Sequence, residues 1–184
     1  MALSQVLLVL AVVALLAILA YRRVVASRVA ASAANRRHLV AGVDVGGQVL
    51  PADVASLKTA GYRTLVNMRP DGEAADQPPS DAVASAAREA GLAYAYVPTP
   101  AANLADEVID DLSRTLATAE GPVFIYCRSG TRVARAWALA EASRPGGLDR
   151  DGIIDAVSKA GFNVDDLLPR IDMRLAARHS VSTS

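Results

Sequence analysis

The sequence predicts an α/β domain, a small parallel sheet flanked by helices on both faces and preceded by one N-terminal transmembrane helix. Short apolar strands alternate with helix-length segments through short connections, the pattern of a parallel sheet whose ligands bind at the carboxyl ends of its strands. The stretch PVFIYCRSGTRVARAWALAEASR at 122–144 reads as buried strand, loop and Ala-rich helix. Residues 6–20 form an unbroken apolar run.

That run, extended by Ala2, Leu3 and Tyr21, approaches the ~20 apolar residues that cross a bilayer. No Lys or Arg precedes it, whereas Arg22, Arg23 and Arg28 come closely after it. A cleavable signal peptide carries its charge in front, and the positive-inside rule puts the downstream domain in the cytoplasm. The expectation is a single-pass protein of the cytoplasmic membrane, with an anchor and basic tether over 1–37 and a domain over 38–184. His38 reads as a juxtamembrane surface residue.

Within the domain, residues 39–49 suggest short strands broken at Gly46-Gly47. Pro51 opens a helix that closes at Gly61, by the proline-first, glycine-last asymmetry. Residues 62–68 are the next strand, followed by a polar loop from Arg69. Ser80 or Asp81 caps a helix that stops at Gly91. Residues 93–97 form a strand, Pro98-Thr99-Pro100 a turn, and Asn103 or Asp106 opens a helix to about Ala119. After the 122–144 stretch come a helix over 149–160, a second start near Asp165-Asp166 and a frayed end holding His179.

The formal charge of zero is a sum of unlike parts. Residues 1–37 hold five arginines and no acid, so the remainder has 14 basic and 19 acidic residues, a net charge of about −5. An acidic domain of this kind is a poor partner for nucleic acid. There is one cysteine, so neither an internal disulfide nor an internal resolving thiol is available. No metal-ligand cluster and no cofactor motif is present.

The cysteine, Cys127, stands at the carboxyl end of the apolar strand, and the loop after it opens into a helix. Backbone N–H groups and the positive end of the helix dipole then converge on one small volume. They would lower a thiol pKa and hold an anion beside it. Arg132, five residues on, can turn its guanidinium fork to the same anion. The competing readings are a buried structural cysteine and a solvated helix start for Arg128 and Arg132. Arginines at a helix N-terminus are unfavourable without an offsetting anion, which favours a nucleophilic thiolate in an anion cradle. Trp137 and Leu139 read as core, and Arg135, one turn after Arg132, as a surface residue or an extension of the positive field.

The loop Cys127-Arg128-Ser129-Gly130-Thr131-Arg132 resembles the active-site loop of rhodaneses. Asn67-Met68-Arg69-Pro70-Asp71-Gly72-Glu73 and Gly47-Gln48 resemble a smaller family. These are the bacterial phosphatase-like sulfur transferase domains, some fused to β-lactamase-fold persulfide dioxygenases. The resemblance implies the dual-specificity-phosphatase fold with a rhodanese-length loop. It implies Cys127 and Arg132 as catalytic residues, with Arg128, Ser129, Gly130 and Thr131 binding substrate. Gly130 would supply a backbone angle that other residues resist, and the hydroxyls of Ser129 and Thr131 either donate to the sulfur anion or serve the loop and cap. Arg69 and Asp71 either line the pocket or pair with each other.

Dual-specificity phosphatases use a loop one residue longer and an aspartate shortly after the strand that matches 93–97. Here no acid follows that strand before Asp106. Losing such an acid costs a phosphatase a factor of about 10²–10⁴. The expected activity is therefore thiosulfate or persulfide sulfur transfer, through a Cys127 persulfide, to a thiol, cyanide or sulfite. The partners implied are a small anionic sulfur donor, a thiol acceptor, the membrane, and a sulfide-oxidising membrane enzyme. The alternatives are a cysteine-dependent phosphatase or arsenate-type reductase, and a non-catalytic persulfide or oxyanion sensor or docking domain.

Overall fold

In the computed structural model, residues 10, 12–20, 36–100 and 104–181 are described. Five strands form one sheet: β1 (Arg37–Val40), β2 (Val43–Gly46), β3 (Thr64–Asn67), β4 (Ala93–Tyr96) and β5 (Val123–Tyr126). Six helices follow or separate them: α1 (Val54–Thr59), α2 (Ser80–Glu89), α3 (Asp106–Thr118), α4 (Thr131–Ser143), α5 (Arg150–Lys159) and α6 (Leu168–Val181).

The strand order is β1-β2-β5-β3-β4. Strands β2, β5, β3 and β4 run parallel, as the alternation predicts, but β1 is antiparallel to β2. The sheet is therefore mixed rather than parallel. The break sits at Ala41-Gly42 instead of Gly46-Gly47, because Gly42 at φ +81° supplies the left-handed turn a tight hairpin needs. No helix among the described residues is long and apolar enough to cross a membrane. Residues 10 and 12–20 are helical with exposed side chains, and the rest of the expected span lies outside the described residues.

Register places the site. β5 is central, with Tyr126 level with Gly46 on one side and Asn67 on the other, while Asn67 is level with Tyr96. Four strand ends thus finish together, and the loops beyond them converge. Alternation along β5 sends Phe124 and Tyr126 to one face, against α1 and α2, where Tyr62 meets Phe124 edge-on at 5.3 Å between ring centroids. It sends Val123, Ile125 and Cys127 to the other, where α4 lies. The alanines of α4 let α3, α5 and α6 pack around it, and Trp137 and Leu139 are buried as expected. Truncating Trp137 would cost about 3–5 kcal/mol.

One helix start differs from expectation. Ser80 is the first residue of α2, not its cap; the loop residue Asp71 accepts from Ser80 N at 2.8 Å and Ser80 Oγ at 2.6 Å. Helix α3 begins at Asp106, one of the two expected starts, without a side-chain cap bond. Asp149 does cap α5, accepting from Gly152 N at 2.8 Å.

Candidate active site

Cys127 comes directly after the last residue of β5 and is 1 % exposed. The loop over residues 127–130 turns the chain from β5 into α4, whose first residue is Thr131. Gly130 makes the turn possible at φ +91°, and its N–H donates to Cys127 Sγ at 3.2 Å. A Cβ there would lie 3.1 Å from Phe162 Cζ and 3.4 Å from the Gly46 carbonyl group. Two physical demands, angle and space, therefore select glycine beside the sulfur. Arg128, Ser129 and Thr131 are exposed and line the cleft, and Ser129 Oγ lies 3.3 Å from Thr131 Oγ1. The loop is braced from the segment after β2 by Gln48 N–H, which donates to the Arg128 carbonyl at 3.3 Å.

Arg132 is buried, and three of its five N–H donors are already used. Nη1 donates to the carbonyls of Thr99 at 2.7 Å and Met68 at 3.3 Å, and Nη2 to Glu73 Oε1. Nε is buried without a partner. Nε–H is left, and with Nη2 it forms the side-on edge of the guanidinium, the edge that suits an oxyanion. A buried N–H left unpaired costs about 1–3 kcal/mol, and a bound anion would recover it.

Glu73 organises the arginines. Its Oε2 accepts from Arg69 Nε at 2.8 Å while Oε1 takes Arg132. Burial raises the Glu73 pKa, but hydrogen bonds from Arg69 and Arg132 outweigh it and hold the carboxyl below its ordinary value. Arg69 also donates to Gln48 Oε1 at 2.7 Å. Arg69 thus pairs with Glu73 and Gln48, not Asp71, and neither Arg69 nor Asp71 lines the cleft. Asp71 is spent on capping α2. In this structure both side chains are held by the scaffold, Arg69 by Glu73 and Gln48 and Asp71 by Ser80.

The cleft over Cys127 has a volume of about 520 Å³. Among the described residues that line it, the cations are Arg128, Arg132, Arg135 and Arg170, and the one acid is Glu73. Arg135, expected at the surface, lines the cleft and makes a bidentate pair with Asp166 at 2.7 and 2.6 Å. Glu73, Leu104, Leu167 and Arg170 were not anticipated at the site. For Glu73 the i, i+4 spacing from Arg69 was a usable signal. For Leu167 and Arg170, which arrive with the C-terminal segment, the sequence holds none. Among the described residues no group of side chains could hold a metal ion.

The family profile for the phosphatase-like domain of β-lactamase hydrolase-like proteins matches residues 35–144. A β-lactamase hydrolase-like protein of Xylella fastidiosa is 38 % identical over 120 residues, covering 65 % of this chain. The match spans 28 % of that relative's length. A solved phosphatase-like protein of Neisseria meningitidis superimposes with a TM-score of 0.64 at 27 % identity, over 75 % of this chain and 96 % of that one. The core catalytic domain of a PP-IP phosphatase of S. cerevisiae shares the fold, with a TM-score of 0.56 at 13 % identity over 76 % of this chain and 84 % of that one. The architecture is that of cysteine phosphatases, and the chain belongs to the β-lactamase hydrolase-like protein family's phosphatase-like domain.

Proposed function

We propose that this protein is a sulfurtransferase that carries sulfane sulfur on Cys127. The observation behind this reading is that, among the described residues, no carboxylic acid stands beside the anion cradle ready to donate a proton. Glu73, the one acid among the described residues that line the cleft, has its pKa lowered by hydrogen bonds from Arg69 and Arg132, which outweigh its burial. Asp106, nearby on α3, has its pKa lowered by hydrogen bonds from Arg174 and Arg170, and no acid stands between residue 97 and Asp106. Hydrolysis of a phosphate ester wants an acid for the departing oxygen. Sulfur transfer does not.

In the first step, the Cys127 thiolate attacks the outer sulfur of thiosulfate. A new S–S bond forms on Cys127, the donor's S–S bond breaks, and sulfite leaves with the bonding electron pair. In the second, a thiolate, cyanide or sulfite attacks the outer sulfur of the persulfide and Cys127 thiolate is regenerated. The open edge of Arg132 holds the donor's oxyanion, and Gly130 N–H holds the sulfur anion. The arrangement costs nothing in reorganisation, because Glu73 and the carbonyls of Met68 and Thr99 fix the guanidinium beforehand. A membrane anchor in residues 6–20 would put this chemistry at the cytoplasmic face, beside a sulfide-oxidising membrane enzyme. Fractionation of the cells tests that placement: an entirely unsedimented protein would contradict it.

A second reading, a cysteine-dependent phosphatase, is favoured by the fold shared with the Neisseria and yeast proteins. The two separate on substrate. Thiocyanate release from thiosulfate and cyanide, lost in Cys127→Ser, supports sulfur transfer. Cys127-dependent hydrolysis of an aryl phosphate without thiocyanate release would favour the phosphatase.

A further inference from the structure

The matched domain ends at residue 144, yet the cleft does not. Leu167 and Arg170, from the turn before α6 and from α6 itself, complete its wall. Asp166, in the same turn, grips Arg135. Arg170 donates to Asp106 Oδ1 at 2.7 Å, and Arg174 donates to that same oxygen at 2.7 Å, so one carboxylate serves two guanidinium groups. Asp106 is 70 % exposed and does not line the cleft, whereas Arg170 does.

Size and charge point the same way. Thiosulfate, with five heavy atoms, fills on the order of 150 Å³ at the ~30 Å³ that a water takes in the liquid. The cleft offers about 520 Å³, in the range that holds a drug-sized ligand. Thiosulfate also needs only the Arg132 edge and the loop N–H groups. Arg135, paired with Asp166, and Arg170, which shares the Asp106 carboxylate with Arg174, then have no role toward it, although both present guanidinium groups to the cleft.

We infer that Arg170, with Arg135 beside it, forms a second anion subsite, so that the natural ligand carries one anionic head at Cys127 and another anionic group toward α6. This deepens the sulfurtransferase reading and rests on it only for the group placed at Cys127. A carboxylated thiol persulfide has this chemistry, and so does a bisphosphorylated metabolite; both present two separated anions. Leu104 and Leu167 give the carbon skeleton between them an apolar wall.

The test is calorimetric titration of the full-length Cys127→Ser protein, which binds without turnover. One pair of probes is methanesulfonate and glutathione sulfonate; the other is fructose 6-phosphate and fructose 1,6-bisphosphate. In at least one pair the doubly anionic probe should bind about 10-fold tighter or more, as a charge-assisted contact would give. Adding Arg170→Ala should shrink that advantage to about 2-fold or less and leave methanesulfonate binding unchanged. Arg170→Lys should keep part of it, and Asp106→Asn should keep or enlarge it, because Arg170 then loses its competing carboxylate. No advantage in either pair, or an advantage that survives Arg170→Ala, overturns the inference. So does loss of the advantage in Asp106→Asn, which would mean that the ion pair matters only for structure. The pair that shows the effect names the ligand source. If Cys127 takes up sulfur while neither advantage exists, the subsite is wrong; if the advantage exists without sulfur uptake, the sulfurtransferase reading is wrong.

Discussion

Glu73 and Arg132, 59 residues apart, meet at the floor of the cleft, where Glu73 Oε1 accepts from Arg132 Nη2. The second oxygen of the same carboxylate accepts from Arg69, which is itself tied to Gln48. Loops after β2 and β3 are thereby bolted to the first turn of α4, and Arg132 keeps one edge for an anion.

Replacing Glu73 by Gln leaves two buried arginines sharing a neutral partner. Stability should fall by about 2–3 kcal/mol, the range for hydrogen bonds to charged groups, read from the midpoint of urea unfolding. Sulfur transfer should fall about 10-fold or more, chiefly in kcat/KM, because Arg132 loses its fixed direction. The pH dependence has a definite sign. Because the folded carboxyl lies below the ordinary value of 4.5, its contribution is present above about that pH and is lost as pH falls through the lower folded value. Glu73→Gln should therefore show a shallower decline in acid than the wild type.

Gly130→Ala combines a positive φ of +91° with a contact of 3.1 Å to Phe162 Cζ. The backbone term alone is about 1–2 kcal/mol. Activity should drop about 10-fold, since the displaced N–H is the one on Cys127 Sγ. Adding Phe162→Leu should recover part of the stability but not the activity, a split that thermal melts and kinetics would resolve.

Asp71 lies two residues from Arg69 and has a different task. Asp71→Ala should lose about 1 kcal/mol with the cap on α2, and the KM for thiosulfate should not move. A raised KM with unchanged stability would put Asp71 back among the substrate contacts.

Tyr62 donates its hydroxyl to Asp44, near Arg36 at the start of the domain. Burial, then the hydrogen bond to Asp44, pushes its pKa up to about 12 from 10.0. A raised folded value means stability that is complete below about pH 10 and lost as pH rises toward 12. Alkaline titration should show this loss, and Tyr62→Phe should flatten it over that window.

The legible part of the sequence was local. The strand–loop–helix around Cys127 is read from one apolar run, one glycine and one Ala-rich segment, and the structure keeps those neighbours in order. The β1–β2 hairpin was hidden because its turn, Ala41-Gly42, carries weaker punctuation than Gly46-Gly47. The Arg69–Asp71 pairing was misread because an aspartate near an arginine looks like an ion pair, while the partner of Asp71, Ser80, lies nine residues ahead. Arg170 was invisible for another reason. Its place depends on how closely α6 packs on α4, and that distance is set by the alanines of α4, far from Arg170 in the chain. Side chains delivered by packing leave no mark in their own neighbourhood.

Whether Cys127 carries sulfur decides the functional reading. Intact-protein mass spectrometry of the full-length chain after incubation with thiosulfate tests it, run beside Cys127→Ser. The predicted result is a gain of one sulfur atom that cyanide removes and that the variant never shows. An unchanged mass in the wild type, with Cys127-dependent hydrolysis of an aryl phosphate in the same preparation, would contradict it.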